Sequence, residues 1–222
     1  SWVDLAPGHL FQGGKFAFRL HEGPAFGPSS ASLKMLPSHG KKPARGELKM
    51  DGLALSPLII LSEYLPVDDE MRADLRKLQP KGSLREFSAT WSGAWPELQH
   101  YSVKGKFTNL GINAYMLCSG TQLPGFVNLS GNVDFNEKGG SLSLSSRQFK
   151  LVIPEVFDHE LDLDTLTAQL GWSNKGGQHE FKLSSASLAN SHLAGTAFGV
   201  YRTASKGPGQ IDLSAQFQRA DA

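Results

Sequence analysis

A strict alternation of apolar and polar residues runs through Val127-Asn128-Leu129-Ser130-Gly131-Asn132-Val133-Asp134-Phe135-Asn136. Every odd position is apolar or glycine, and every even position is polar. Successive side chains of a β-strand point to opposite faces of the sheet, so this segment predicts a strand with one apolar and one solvated face. A sheet made of such strands must cover its apolar side with another layer or with a ligand.

The same period of two recurs along most of the chain and predicts about ten to twelve strands. Glycine-containing turns at 137–140, 174–177 and 206–209 separate pairs of these runs, and such turns return a chain antiparallel beside itself. The predicted fold is therefore mainly β, a long antiparallel meander. The remaining alternating runs are 15–20, 32–35, 47–50, 84–91, 102–107, 141–145, 149–153, 166–172, 180–183, 196–200 and 211–217.

One insertion, at about 56–79, has helical instead of strand periodicity. Ser56 is a suitable N-cap before Pro57, and a second helix is expected to start near Asp68, with Pro66 and Pro80 ending the two helices. We expect this helical hairpin to lie as a lid on part of the sheet. Its apolar stripe would consist of Leu58, Leu61, Leu65, Met71, Leu75 and Leu78.

Composition narrows the class of protein. The chain has 222 residues, 22 Lys and Arg against 21 Asp and Glu, and 40% apolar residues. The dispersed, balanced charge gives no basis for tight nucleic-acid binding, and the apolar content argues against disorder. We expect a single folded unit over 1–222. The lone Cys118 excludes an intramolecular disulfide, and the longest nearly apolar run, 53–61, is too short to cross a bilayer.

Patterns for catalysis or metal binding are weak throughout the sequence. The seven histidines are at least a dozen residues apart and form no HxH or HxxxH motif, and neither a Gly-x-Ser-x-Gly elbow nor a phosphate-binding loop is present. Asp162 and Asp164 have a spacing compatible with a glycosidase pair, but they alternate with leucines, as on the solvated face of a strand. We therefore expect neither an enzyme nor a protein with a cofactor or metal.

Two stretches carry a more specific pattern. The first is Leu65-Pro66 followed by Leu75, Leu78, Pro80, Gly82, Leu84, Phe87 and Trp91. The second is 123–131, followed by 139–144, 153–157, 161–163, Trp172 and 188–190. Over about residues 50–220, their order and spacing resemble the YhdP-type proteins of the bacterial AsmA-like superfamily.

The resemblance implies a curved, open sheet of the repeating β-groove type. It also implies an internal periplasmic piece of a longer protein that is anchored in the inner membrane. Such proteins are thought to carry phospholipid between the inner and outer membranes, supporting the outer-membrane permeability barrier. The expected partners are therefore phospholipid and, through the rest of the parent protein, the two membranes. The family offers no catalytic residues to carry over.

The residues alone leave two architectures open. One is an open sheet whose apolar face is completed by acyl chains, and the other is a closed β-sandwich. The second would suit a structural or carbohydrate-binding module, with Trp91 and Trp95 as a stacking surface. Under the first, we expect the groove or the core beneath it to be lined by Val127, Leu129, Val133, Phe135, Leu142, Leu144, Phe181, Leu183, Phe198, Val200, Ile211, Leu213 and Phe217.

Overall fold

Long antiparallel strands dominate the computed structural model, which describes residues 2–5, 8–16, 29–40, 42–63, 69–94, 97–117, 120, 122–153, 159–204, 207 and 209–220. The strands are β1 (Trp2–Leu5), β2 (Gly8–Phe16), β3 (Ser29–Leu36), β4 (Arg45–Asp51), β5 (Leu53–Ala54), β6 (Lys81–Ala94), β7 (Glu97–Ile112), β8 (Tyr115–Met116), β9 (Gln122–Leu123), β10 (Gly125–Asn136), β11 (Gly139–Val152), β12 (Leu161–Lys175), β13 (Gln178–Ala189), β14 (Leu193–Arg202) and β15 (Gln210–Ala220). Two short helices, α1 (Leu58–Leu61) and α2 (Asp69–Leu78), lie between β5 and β6.

Thirteen of these strands form one sheet, in the order β1-β2-β3-β4-β6-β7-β10-β11-β12-β13-β14-β15, with β5 paired to β6. Every pairing is antiparallel, and among the described residues β1 and β15 end the path without closing on each other. The predicted open meander is confirmed. The β-sandwich alternative is wrong for this part of the chain, because the only other sheet described is the small ribbon of β8 and β9.

The predicted runs map onto the strands with a few differences. The runs 141–145 and 149–153 belong to the single strand β11, and β1 and most of β2 were not predicted. Residues 17–20 of the predicted run 15–20 lie outside the described residues. The turns at 137–140 and 174–177 are confirmed, and the pairing of Arg202 with Gln210 shows that β14 and β15 also form a hairpin.

The two ends of the strands form different borders. The tight connections β6–β7, β10–β11, β12–β13 and β14–β15 lie at one border, which we call the turn rim. The helices and the β8–β9 ribbon lie at the opposite border, the helical rim. Hydrogen bonds fasten the helical insertion there: the Leu55 N–H donates to Gly82 O (3.0 Å) and the Asn113 N–H to Leu78 O (2.8 Å).

The helical insertion matches its prediction in part. Helix α1 is a single turn whose N-cap is Pro57 without a side-chain cap, so Ser56 does not have the predicted role. Helix α2 starts with Asp69 and Glu70 at its positive end, as predicted. None of its side chains is buried, and Met71 is 51% exposed. The lid role stays a prediction, and Leu65, Pro66 and Asp68 lie outside the described residues.

A line of β-bulges crosses the centre of the sheet. The non-glycine residues Glu86, Asn109, Asn128 and Gln148, on β6, β7, β10 and β11, all have left-handed φ angles between 48° and 60°. Register shifts occur nearby in the pairings of β6 with β7 and of β10 with both neighbours. Bulges increase local twist and bend strands, so the aligned bulges are a means of curving the sheet.

Very little of the sheet is covered. Among the described residues, the buried apolar side chains are Phe107, Phe149 and Leu163. The accessible surface is 14958 Å² for 24.0 kDa, against about 9,900 Å² for a compact monomer of that mass. The excess indicates that the sheet does not fold back on itself, which leaves its apolar side open.

Candidate functional site

The strand register sorts apolar residues into rows that cross the sheet at right angles to the strands. Directly paired residues of antiparallel strands point to the same face, so each row lies on one side of the sheet. Four rows are continuous over β12 to β15, and we call the side that carries them the apolar face. Counted from the turn rim on those strands, they are the first row Trp172, Phe181, Tyr201, Ile211; the second row Leu170, Leu183, Gly199, Leu213; the third row Ala168, Ala186, Ala197, Ala215; and the fourth row Leu166, Leu188, Gly195, Phe217.

The first three rows continue from β12 toward the β1 end of the sheet. The first row runs through Gly140, Phe135, Val103, Ala89, Leu48 and Leu33 to β3. The second continues through Leu142 to Val133, and the third through Leu144 to Gly131 and Phe107. With strands about 4.8 Å apart, the twelve-strand path extends for about 50 Å.

The opposite side of the sheet, the polar face, carries a different set of residues at the intervening positions. One polar-face row contains Lys49, Ser88, Lys104, Asp134 and Ser141. The ammonium group of Lys104 lies 2.8 Å from the Asp134 carboxylate. This pairing of opposite charges is expected of a solvated surface, so the apolar rows are the unusual side of the sheet.

Glycines on the apolar face are covered by side chains of neighbouring strands. A Cβ on Gly46 would lie 2.0 Å from the Trp91 ring, and one on Gly195 would lie 2.9 Å from the Phe217 ring. Gly105 is covered in the same way by Phe87. Large side chains that lie across small residues fill the spaces between strands, so the face is smooth along its rows.

Aromatic rings concentrate near the turn rim. Phe135 contacts Tyr101 edge to face, with ring centroids 6.1 Å apart, and lies 6.1 Å from Trp172 on the other side. Phe181 stacks on Tyr201 at 6.3 Å. These rings form the edge of the apolar face nearest to the turns.

Two shallow cavities lie on this face. One of about 320 Å³ is lined by Ala89, Thr90, Trp91, Leu98, Tyr101 and Val103. The other, of about 170 Å³, lies over the first and second rows, and its lining includes Leu170, Phe181, Leu183, Ile211 and Leu213. The linings of both cavities consist mainly of hydrocarbon groups, which suit an apolar ligand.

The structure brings together nine of the predicted groove residues on the apolar face, where Phe181, Ile211, Leu213 and Phe217 are 39 to 69% exposed. It separates two others, because Phe198 and Val200 pair with Ser214 and Asp212 and so lie on the polar face. The nine are Val133, Phe135, Leu142, Leu144, Phe181, Leu183, Ile211, Leu213 and Phe217.

Val127 and Leu129 flank the bulge at Asn128, and the pairings of β10 shift register up to Gly131, so alternation does not carry the face of Val133 across to them. The prediction missed Leu170, Trp172 and Tyr201, although the first two belong to a recognised alternating run. Their period of two was the signal that could have identified them.

The acidic residues have structural partners. Asp162 pairs with Lys150 (3.1 Å), raising the pKa of that lysine together with Glu160, and Asp164 accepts a hydrogen bond from Gln148 (3.0 Å). These contacts support the solvated-face interpretation of the two aspartates. Among the described residues, no group of His, Cys, Asp or Glu could hold a metal ion.

Glu137 fastens the β10–β11 turn. Its carboxylate lies 2.9 Å from His100 Nδ1 and accepts the Tyr101 N–H at 3.2 Å. The hydrogen bond with His100, followed by backbone N–H groups of Glu137 itself and Tyr101, lowers the pKa of Glu137 to about 2.

Trp91 lies over Gly46 within the apolar face, and its proposed partner Trp95 lies outside the described residues.

Comparison with known proteins gives one match. The family model described as "YhdP protein" matches residues 1–222. No curated protein and no solved structure matches the chain. In the part of the chain that the structure describes, no helix has the length and apolar character needed to span a membrane.

Proposed function

Since this chain belongs to the YhdP family of AsmA-like lipid-transport proteins, we propose that its apolar face binds phospholipid by the acyl chains and conducts it across the periplasm. The transfer would connect the inner and outer membranes and support outer-membrane lipid homeostasis. The chain would act there as part of a protein anchored in the inner membrane. This role needs no catalytic group, so we propose a non-enzymatic protein.

The observation that carries the proposal is the continuity of the apolar rows. Removing a 16-carbon chain from a bilayer costs on the order of 12 kcal/mol, at about 0.8 kcal/mol per CH₂. A moving lipid must recover this free energy at each position along its path. Rows that repeat from strand to strand offer similar contacts at every step, so no single site needs to hold the lipid tightly.

The charge of the protein is consistent with this mode of binding. The formal net charge is +1, and Lys104 on the polar face is paired with Asp134. Each well-placed basic residue would add about 1 kcal/mol of attraction for an anionic headgroup, which is small compared with the free energy of burying an acyl chain. We therefore propose that the hydrocarbon chains, not the headgroup charge, provide most of the affinity.

The test compares matched charges on the two faces of the same strands. Leu170→Asp and Leu213→Asp place a carboxylate on the apolar face, whereas Gln169→Asp and Ser214→Asp place one on the polar face next to it. Purified protein is incubated with vesicles of fluorescent phosphatidylethanolamine and phosphatidylglycerol and then separated from them, and bound lipid is quantified.

The apolar-face variants should lose most of the bound lipid, while the polar-face variants should keep it. Leu213 is 58% exposed, so its replacement should leave the fold intact, as circular dichroism can verify. Equal lipid binding by all four variants, or no binding by the unmodified chain, would contradict the proposal.

A further inference from the structure

The apolar face is graded from one rim to the other. On β12 to β15, the first row includes Trp172 and Tyr201, which have polar tips, whereas the second row contains leucine and glycine and the third only alanine. The gradient runs along the strands, at right angles to the proposed direction of lipid movement. The groove therefore has two chemically different sides.

The tryptophan and tyrosine side chains that the structure describes lie mostly on one side. There are five of them: Trp91, Tyr101, Trp172 and Tyr201 lie near the turn rim, and Tyr115 on β8 lies at the helical rim. Indole and phenol groups favour the boundary between hydrocarbon and water, because their rings are apolar and their N–H or O–H groups bind polar partners.

The Tyr201 side chain shows the direction of one polar tip. Its hydroxyl oxygen lies only 2.9 Å from the position that a Cβ on Gly209 would occupy, so the ring extends toward the β14–β15 turn. Charged groups at the same rim occupy polar-face positions, with Arg202 2.6 Å from Glu180 and His100 2.9 Å from Glu137. On the apolar face, the turn rim is thus the side where a polar headgroup meets amphipathic rings.

The width of the face suits a lipid lying along the strands. Six residues separate Trp172 in the first row from Leu166 in the fourth, which corresponds to about 20 Å. An acyl chain in one leaflet of a bilayer spans about 15 Å, half of the hydrocarbon thickness. A chain whose ester group lies at the first row would therefore end within the apolar rows.

We propose that phospholipid is held in one fixed orientation, with its headgroup and ester region at the turn rim and its acyl ends directed toward the helical rim. This inference rests on the proposed lipid-binding role and adds the orientation of the lipid in the groove. The aromatic rings act as positioning residues for the ester region, and the leucine and alanine rows contact the chain ends. A lipid could then move along the sheet without turning over.

Depth-dependent fluorescence quenching tests this orientation. One variant keeps Trp172 as its single tryptophan, with Phe at positions 2, 91 and 95. The other adds Trp172→Phe and Phe217→Trp, which places the indole in the fourth row at an exposed aromatic site. Each is loaded with phosphatidylcholine that carries a nitroxide either beside the ester or at the methyl end of one chain, and is separated from vesicles.

The ester-side nitroxide should quench Trp172 more than the methyl-end nitroxide does, and the order should reverse for the fourth-row indole. The opposite order, or equal quenching by both lipids at both positions, would overturn the fixed orientation while leaving lipid binding intact. If neither lipid quenches the indole at either position, the proposed function on which the inference rests would be overturned instead.

Discussion

At the scale of single residues, the structure shows that side-chain size does not decide which face a residue occupies. In 197–200 the larger residues Phe198 and Val200 lie on the polar face, and Ala197 and Gly199 lie on the apolar face. The small residues are acceptable there because the neighbouring strand covers them, as Leu213 covers Gly199. Alternation predicted the strand, but only the register of its neighbours could assign its two faces.

The covered glycines lead to a prediction about stability. Gly46→Ala would place a methyl group where the Trp91 ring lies. Displacement of the ring should lower the free energy of unfolding by about 1–3 kcal/mol. Gly171→Ala is the matched control, since the nearest atom to its Cβ is 3.8 Å away. Urea unfolding and near-ultraviolet circular dichroism would measure both effects, and equal stability of the two variants would show that Trp91 does not need Gly46.

The turn at Glu137 predicts a specific pH dependence. Because its pKa in the folded protein is lowered to about 2, the ionised carboxylate stabilises the fold. This contribution is complete above the ordinary carboxyl pKa of 4.5 and is lost as the pH falls from there toward 2. The difference in urea midpoint between the unmodified chain and Glu137→Gln should therefore shrink on acidification between about pH 5 and pH 3. A difference that is constant over this interval would rule out the proposed contribution.

At the scale of elements, the strands and helix α2 follow from local patterns, but the line of bulges does not. Alternation predicted most of the strands, and the acidic residues predicted that the second helix starts near Asp68, one residue before the observed start of α2 at Asp69. The bulges depend on side chains from different strands: the Asn109 N–H donates to Ser130 Oγ and the Ser130 N–H to Ser146 Oγ, each at 2.9 Å. A single strand's sequence contains no signal for such cross-strand bonds.

Ser146 is therefore expected to contribute more to stability than an exposed serine does. Its side chain is buried, and Ser146→Ala would leave the Ser130 N–H without its acceptor, at a cost of about 1–3 kcal/mol. The neighbouring exposed Ser145→Ala should change stability by less than about 0.5 kcal/mol. Chemical denaturation of the two variants provides the comparison, and a neutral Ser146→Ala would remove the serine contact from the explanation of the bulge.

At the scale of the whole molecule, the structure is defined by what the sheet leaves uncovered. The sequence predicted an open or closed arrangement of the same strands without deciding between them, because both bury or expose the same alternating residues. The continuous pairing of the meander and the large accessible surface distinguish the two. The family resemblance pointed to the open form, and the register then identified the apolar rows.

An open sheet should also unfold with an unusually small change in exposed surface. Since the denaturant m-value scales with this change, the urea m-value should be about one fifth smaller than that of a compact protein of equal length. The comparison requires a two-state transition that is independent of protein concentration. A normal m-value under these conditions would indicate that the sheet closes on itself in solution.

The central claim, that one face of the sheet carries lipid, is tested most directly by photo-crosslinking in cells. A photoreactive amino acid is placed at Phe135, Leu144 or Leu213 on the apolar face, and at Asn132 or Ser143, which pair with each other on the polar face. Phospholipid should be captured from the first three positions and not from the other two. Equal labelling from both faces, or no labelling from either, would contradict the account.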